Sequence, residues 1–202
     1  LGLGFIGKNT TLINPTFGSY FFIGEILTTK YFCPATTIEE EKCGNCEKCL
    51  EVCPTKALQP YQLDCSRCIS YLTIENKGAI PLKLRDKLGS SLFGCDLCQQ
   101  VCPYNNKVFV TEEVDFLNHR AGTSKKLEEI LLLKNHEQFT DKFAGTSLMR
   151  AKREGLIRNA SIVAANNNIY ELIPILKKLR NGNNPLITEH ANWAIKKIEG
   201  KL

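Results

Sequence analysis

The chain has 202 residues, 43% hydrophobic and 23% charged, with a formal net charge of +5. That balance suits a globular protein of one or two domains with a sizeable core. No apolar run approaches the roughly 20 residues a membrane helix needs, and no basic flank followed by an apolar stretch marks an export signal, so the expected location is the reducing cytoplasm.

Residues 1–42 are rich in glycine and aromatics. Phe21 to Leu27 reads as a buried strand or the start of a helix. Gly2-x-Gly4-x-x-Gly7 matches the dinucleotide fingerprint, but that motif must close a strand and open a helix, and Asn14-Pro15 stops any helix almost at once. The glycines read instead as places where backbone approaches something bulky. The chain opens on Leu1-Gly2 without Met, inside what reads as a packed segment, so a preceding domain is expected.

Nine of the ten cysteines fall between Cys43 and Cys102, in two runs that end in Cys-Pro. Cys43-x2-Cys46-x2-Cys49-x3-Cys53-Pro54 is the bacterial ferredoxin spacing, in which the cysteine before proline ligates the other of two 4Fe-4S clusters. By that logic cluster one takes Cys43, Cys46, Cys49 and Cys102. Cluster two takes Cys53, Cys95, Cys98 and a fourth ligand, for which Cys65 and Cys68 both stand upstream. A zinc ribbon from the Cys43-x2-Cys46 and Cys65-x2-Cys68 pairs leaves five clustered cysteines idle, and a disulfide framework belongs to short secreted chains. Cluster ligation, more than an apolar core, is expected to hold this module together. Short helices are predicted after each Cys-Pro, around Ser66 to Glu75, and over Leu82 to Leu88.

From residue 126 onward the pattern is helical. Ile169, Leu172, Ile173, Leu176 and Leu179 recur at helical spacing, as do Ile187, Ala191, Ala194, Ile195 and Ile198. Asn184-Pro185 suits a helix start, Pro174 is expected to bend its helix, Trp193 reads as core, and His190 as a half-buried helix residue. Arg158-Asn-Ala160 and Glu189-His-Ala191 answer one another at a period of 31 residues, the length of a helix-pair repeat. Residues 142–202 carry 11 Lys and Arg against 4 Asp and Glu. With Arg150, Lys152, Arg153 and Arg158 gathered ahead of the repeat, this excess points to a polyanionic partner.

Several segments together resemble the epoxyqueuosine reductase family, cobalamin-dependent iron-sulfur enzymes of queuosine biosynthesis. They are Gly4-Phe-Ile-Gly-Lys-Asn-Thr10, Gly18-Ser-Tyr-Phe-Phe-Ile-Gly-Glu-Ile-Leu-Thr28, Arg67-Cys-Ile-Ser-Tyr-Leu-Thr-Ile-Glu75, Gly94-Cys-Asp-Leu-Cys-Gln-Gln-Val-Cys-Pro103 and Arg158-Asn-Ala160. The resemblance runs almost end to end and matches the C-terminal two-thirds of the family. It implies an α+β chain in three parts: the end of a cobalamin-binding domain (1–42), a ferredoxin-like module with two 4Fe-4S clusters (43–110), and an all-α HEAT-like tRNA-binding region (111–202). It assigns Cys68 to cluster two and leaves Cys33 and Cys65 as extra thiols.

The implied reaction is the two-electron reduction, in the anticodon loop of a tRNA, of epoxyqueuosine to queuosine, with loss of the epoxide oxygen as water. By position in the family's motifs, Lys8, Asn9, Leu12, Ile23 and Ser70 line the corrin, and Arg150, Lys152, Arg153 and Arg158 meet tRNA. The family's proton-donating Asp lies upstream of the Gly-rich segment, so this chain alone is expected to be inactive. An unidentified electron donor and a monomeric state are also expected. Two rival readings are a two-cluster electron carrier, which leaves the Gly-Lys-Asn segment and the basic tail unexplained, and a corrinoid enzyme like the reductive dehalogenases, which needs no basic repeat.

Overall fold

The computed structural model describes residues 2–33, 42–106, 108, 110–117, 121–122 and 124–201. A hairpin of β1 (Phe5–Ile6) and β2 (Leu12–Ile13) comes first, followed by helix α1 (Lys48–Val52) and a second hairpin of β3 (Leu58–Gln59) and β4 (Gln62–Leu63). Three short helices follow, α2 (Ile69–Ile74), α3 (Leu82–Arg85) and α4 (Leu97–Gln100), then α5 (Val114–Leu117), α6 (Leu127–Leu131) and α7 (His136–Phe143). The chain closes with α8 (Lys152–Asn166), α9 (Ile173–Arg180) and α10 (Pro185–Ile198). Among the described residues no helix is long and apolar enough to cross a membrane.

These elements form two compact units, one of residues 1–64 and 96–112 and the other of 65–95 and 113–202. This differs from the linear three-part division expected from the sequence. The reason lies in residues 65–95, whose apolar side chains Ile69, Leu72, Ile80, Leu84 and Leu88 belong to the same buried core as Ile130, Phe139, Leu156 and Trp193. The segment between the cysteine runs therefore folds with the helices.

In the helical unit, α8 is the central element. Every residue from Gly155 to Ala165 is buried, so its polar residues must be satisfied from inside the protein. Arg158 and Asn159 are both fully buried. The Arg158 guanidinium donates from Nη1 to the carbonyls of Asn76 (2.7 Å) and Gly78 (2.6 Å), and from Nη2 to that of Leu72 (2.7 Å). Its Nε also donates to Asn159 Oδ1 at 3.0 Å. That acceptance orients the Asn159 amide, whose Nδ2 donates to the carbonyls of Thr73 (2.8 Å) and Leu92 (2.9 Å). Leu72 and Thr73 lie in the last turn of α2, where carbonyls lack helical partners and a cation suits the helix dipole. Burial brings the Arg158 pKa down to about 10, so the group stays charged at neutral pH.

A second buried set ties α3 to α10. His190, expected half-buried, is fully buried; the Ile80 N–H donates to its Nε2 at 3.2 Å, and its Nδ1 lies 2.7 Å from the Leu186 carbonyl. Burial holds its pKa down at about 4, which keeps the ring neutral and able to accept from Ile80. Arg85 donates from Nε to the Ile80 carbonyl at 2.8 Å and pairs with Glu189.

Local expectations are met unevenly. Asn184 caps α10 through Oδ1, which accepts from the Ile187 N–H at 3.1 Å, with Pro185 in the first turn. Pro174 does not bend a helix; it sits in the first turn of α9, where its missing N–H is no loss. After Cys53-Pro54 the chain turns into the β3–β4 hairpin rather than a helix, and after Cys102-Pro103 it makes a single 3-10 turn. Residues 21–27 form neither strand nor helix, and Phe22, Ile26 and Leu27 are exposed.

Replacing Arg158 with Met leaves the buried Leu72 carbonyl and the carbonyls of Asn76 and Gly78 without their guanidinium donor. We expect Arg158→Met to destabilise the helical unit by about 3 kcal/mol or more, measured as a lowered urea midpoint of helical circular dichroism. An unchanged midpoint would show that the network is dispensable.

Candidate metal centre

The cysteine runs shape their own loops. Gly44, at φ 51°, lets Cys43 to Cys46 close a turn in which the Cys46 N–H donates to the Cys43 carbonyl at 3.0 Å. α1 carries Cys49 and α4 carries Cys98, and the two helices pack on each other. Cys53 and Cys102 each precede a proline, which disfavours the helical conformation. Both are extended, at ψ 111° and 125°, so each leaves its helical path at the cysteine.

Cys43, Cys46, Cys49 and Cys102 line one cavity of about 270 Å³, together with Lys8 and Asn9. The last two come from the turn joining β1 to β2. In that turn the Thr10 N–H donates to the Gly7 carbonyl at 2.9 Å and the Gly7 N–H to the Thr11 carbonyl at 3.0 Å, with Thr10 at φ 65°. The Lys8 N–H then points at Cys43 Sγ, 3.5 Å away, and Lys8 Nζ donates to the Gly44 carbonyl at 2.7 Å. Asn9 Nδ2 donates to the Cys98 carbonyl at 3.4 Å, while its Oδ1 accepts from Thr11 N and Oγ1. Hairpin and cysteine loops are thereby joined by backbone-directed bonds.

Beneath the cavity, Phe5 and Tyr104 meet edge to face with centroids 5.3 Å apart, and Phe5, Ile13 and Cys102 form a small buried cluster. Gly18 shows why a glycine stands there: a Cβ would lie 2.1 Å from Asn105 Oδ1 and 2.9 Å from the Tyr104 carbonyl. Asn105 Oδ1 accepts the neighbouring Ser19 N–H at 2.7 Å, and its Nδ2 donates to the Gln99 carbonyl at 2.7 Å.

No cysteine is in a disulfide. Among the described residues no three His, Cys, Asp or Glu side chains gather around a single point as one metal ion requires. Cysteines around one open cavity suit a cluster better, because each thiolate then binds its own iron. Burial pushes the Cys49 thiol above its ordinary pKa, helped by Cys102 and Cys46 and opposed by backbone N–H groups. Burial also pushes Cys53 upward, but hydrogen bonding outweighs it and the net shift is down. Thr55 Oγ1 lies 3.5 Å from Cys53 Sγ, and the Ala57 N–H donates to that sulfur at 3.3 Å.

Of the expected site residues, the four assigned to cluster one are together. For the second set, Cys53 and Cys98 belong to the first unit, and Cys68 and Cys95 to the helical unit. Lys8 and Asn9, expected at a corrin, are engaged at the thiol-lined cavity. Leu12 is half-buried on β2, Ile23 is 64% exposed in the irregular stretch, and Ser70 is half-buried on α2 of the other unit.

The basic set also divides. Lys152 is exposed, Arg150 is exposed and paired with Glu75, and Arg153 donates from Nε and Nη2 to the Leu133 carbonyl at 2.9 and 2.6 Å. Arg158 is a correction: it is interior, its guanidinium committed to backbone carbonyls, and it presents no charge to a phosphate. Extra thiols Cys33 and Cys65 are exposed. Sequence reasoning missed Thr55, whose one signal is a hydroxyl two residues past a Cys-Pro, and Tyr104, which had none.

The opposite shifts of Cys49 and Cys53 are open to measurement in the metal-free, reduced chain. Cys53 should reach half-maximal alkylation by iodoacetamide at a lower pH than Cys49, read by peptide mass spectrometry, and Thr55→Val should move Cys53 towards higher pH. The reverse order of the two thiols would refute the assignment.

Residues 42–105 match the family model described as a 4Fe-4S double cluster binding domain. The epoxyqueuosine reductase of Pseudomonas aeruginosa is 42% identical over 200 residues, covering 97% of this chain and 55% of that protein. That of Escherichia coli is 39% identical over 195 residues, covering 96% of this chain and 51% of the relative. Among solved structures, an epoxyqueuosine reductase crystallised with an epoxyqueuosine-modified tRNA-Tyr stem loop superposes with a TM-score of 0.89 at 36% identity, covering 98% of this chain and 52% of that one. The Streptococcus thermophilus enzyme gives 0.85 at 32% identity, covering 100% and 53%. The chain thus spans about half the length of the relatives it matches. Along nearly its whole length it is homologous to the epoxyqueuosine reductases, and its residues 42–105 match a 4Fe-4S cluster-binding domain.

Proposed function

We propose that the chain works as the iron-sulfur and tRNA-facing part of an epoxyqueuosine reductase. The observation that carries this reading is the cavity lined by Cys43, Cys46, Cys49 and Cys102, in a chain homologous to these reductases over 97% of its length. Two 4Fe-4S clusters are proposed, the first in that cavity. The second, assigned to Cys53, Cys68, Cys95 and Cys98, is supported by the ferredoxin spacing and the family's motif. When bound, such clusters pass electrons singly, and cobalamin would supply the carbon-oxygen bond chemistry.

The chain's own residues have narrower tasks. The hairpin turn with Lys8 and Asn9 holds the loops of Cys43 and Cys98 in place. Thr55 and the Ala57 N–H stabilise the Cys53 thiolate, the form that ligates iron. Lys8, Asn9, Leu12 and Ile23, with Ser70, are the corrin candidates, supported by resemblance alone.

The helices, with α8 packed on α10 across the 31-residue period, are read as a HEAT-like region. Arg150 and Lys152 are its candidate phosphate contacts, and Arg153 is a weaker one. A monomer in the cytoplasm, served by a separate electron donor, completes the proposal.

The protein containing this chain should convert epoxyqueuosine to queuosine in tRNA, followed by nucleoside mass spectrometry. Cys46→Ser should abolish turnover. Arg150→Ala with Lys152→Ala should weaken tRNA binding and flatten its dependence on salt, because each lost phosphate contact lowers the slope of affinity against salt. Conversion unaffected by Cys46→Ser, or tRNA binding indifferent to salt, would overturn the reading.

A further inference from the structure

Lys8 stands out at the cavity because it is buried, at 9% exposure, whereas the other two lysines on its wall, Lys42 and Lys48, are exposed. An ammonium inside a protein normally has a carboxylate partner, since burying it alone is unfavourable. Among the described residues no carboxylate pairs with Lys8. Its Nζ is held by the Gly44 carbonyl at 2.7 Å, within the Cys43 to Cys46 turn, and its own N–H is aimed at Cys43 Sγ at 3.5 Å. Among the described residues, the negative charge set beside it is that of what the four thiolates hold.

The geometry points to Lys8 as the residue that sets the reduction potential of the cluster ligated by Cys43, Cys46, Cys49 and Cys102. This rests on the cluster reading above. A 4Fe-4S cluster with four thiolates is an anion that becomes more negative on accepting one electron, and its potential responds to nearby charge, to hydrogen bonds on sulfur and to solvent access. A buried ammonium stabilises the reduced form more than the oxidised one, and an N–H directed at a ligating sulfur acts in the same sense. Both come from one residue, fixed by the tight turn at Gly7 to Thr11. Lys48 faces water, so its charge is screened. Lys8 is thus a tuning residue for electron uptake.

The test uses the full chain, reconstituted anaerobically with iron and sulfide and titrated redox-wise under EPR. Lys8→Met should retain wild-type iron and sulfide while one cluster's midpoint potential falls. Lys8→Arg should return most of the shift, and Lys48→Met should titrate as wild type. A fully loaded Lys8→Met with wild-type potentials would overturn the inference, as would an equal fall in Lys48→Met.

Should Lys8→Met load poorly, pulsed EPR of the wild-type chain labelled with 15N-lysine decides. A nitrogen coupling to one reduced cluster, lost in Lys8→Arg, supports the inference, and its absence in wild type overturns it. Failure of the wild-type chain to bind iron would instead sink the cluster reading itself.

Discussion

Among its described residues, the first unit has a small apolar interior and many polar bonds between distant segments. Its buried cluster among those residues consists of Phe5, Ile13 and Cys102, with Cys43 and Tyr104 packed against it. What organises it is convergence of thiolates from residues 43–49 and 102 on one cavity, reinforced by polar bonds between chain segments far apart in sequence. Where a cluster is held at such a site, its ligation is also folding free energy. The hairpin that carries Lys8 and Asn9 is tied to the same loops: its bonds run to Cys43, Gly44 and Cys98, and its Lys8 carbonyl accepts from the Tyr61 N–H.

The helical unit is built on the opposite principle. Its core is extensive, and α8 runs through the middle of it. The interior polar residues on this helix are hydrogen-bonded to backbone carbonyls: Arg158 and Asn159 to those of other segments, Ser161 to that of Ile157 one turn back. Arg158 and Asn159 take up the C-terminal carbonyls of α2 and those of the following turn, while His190 and Arg85 fix the start of α3. The segment from 65 to 95, which carries Cys68 and Cys95, is thereby positioned by the helices. Cysteines and helical scaffold share one stretch of chain, so no linear boundary separates the cysteine-bearing segments from the helices.

That sharing explains what could be read beforehand. Cysteine spacing is a local property of the chain and the ferredoxin pattern pairs the two runs, so the gathering of Cys43, Cys46, Cys49 and Cys102 at one cavity was legible, as were the apolar periodicity of α9 and α10 and the Asn184 cap. Arg158 was misread as a surface charge because its acceptors, the carbonyls of Leu72, Asn76 and Gly78, leave no mark in sequence. The available signal was its place in the run Leu156-Ile-Arg-Asn-Ala-Ser-Ile-Val-Ala-Ala165, too apolar around the helix to have a wet face. Phe21 to Leu27 was misread in the other direction, since an apolar run reports a preference for burial and not what covers it. Lys8 and Asn9 were noticed for their motif, but their place at the thiol-lined cavity was not legible, because their partners there lie 35 to 89 residues away.

The central claim is that Cys43, Cys46, Cys49 and Cys102 hold one 4Fe-4S cluster. The most direct measurement is iron and acid-labile sulfide per chain, with the EPR spectrum of the reduced state, for the reconstituted wild-type chain and Cys102→Ser. The account predicts loss of about four irons and of one of two cluster signals in the variant. Unchanged iron in Cys102→Ser, or zinc in place of iron in the wild type, would contradict it.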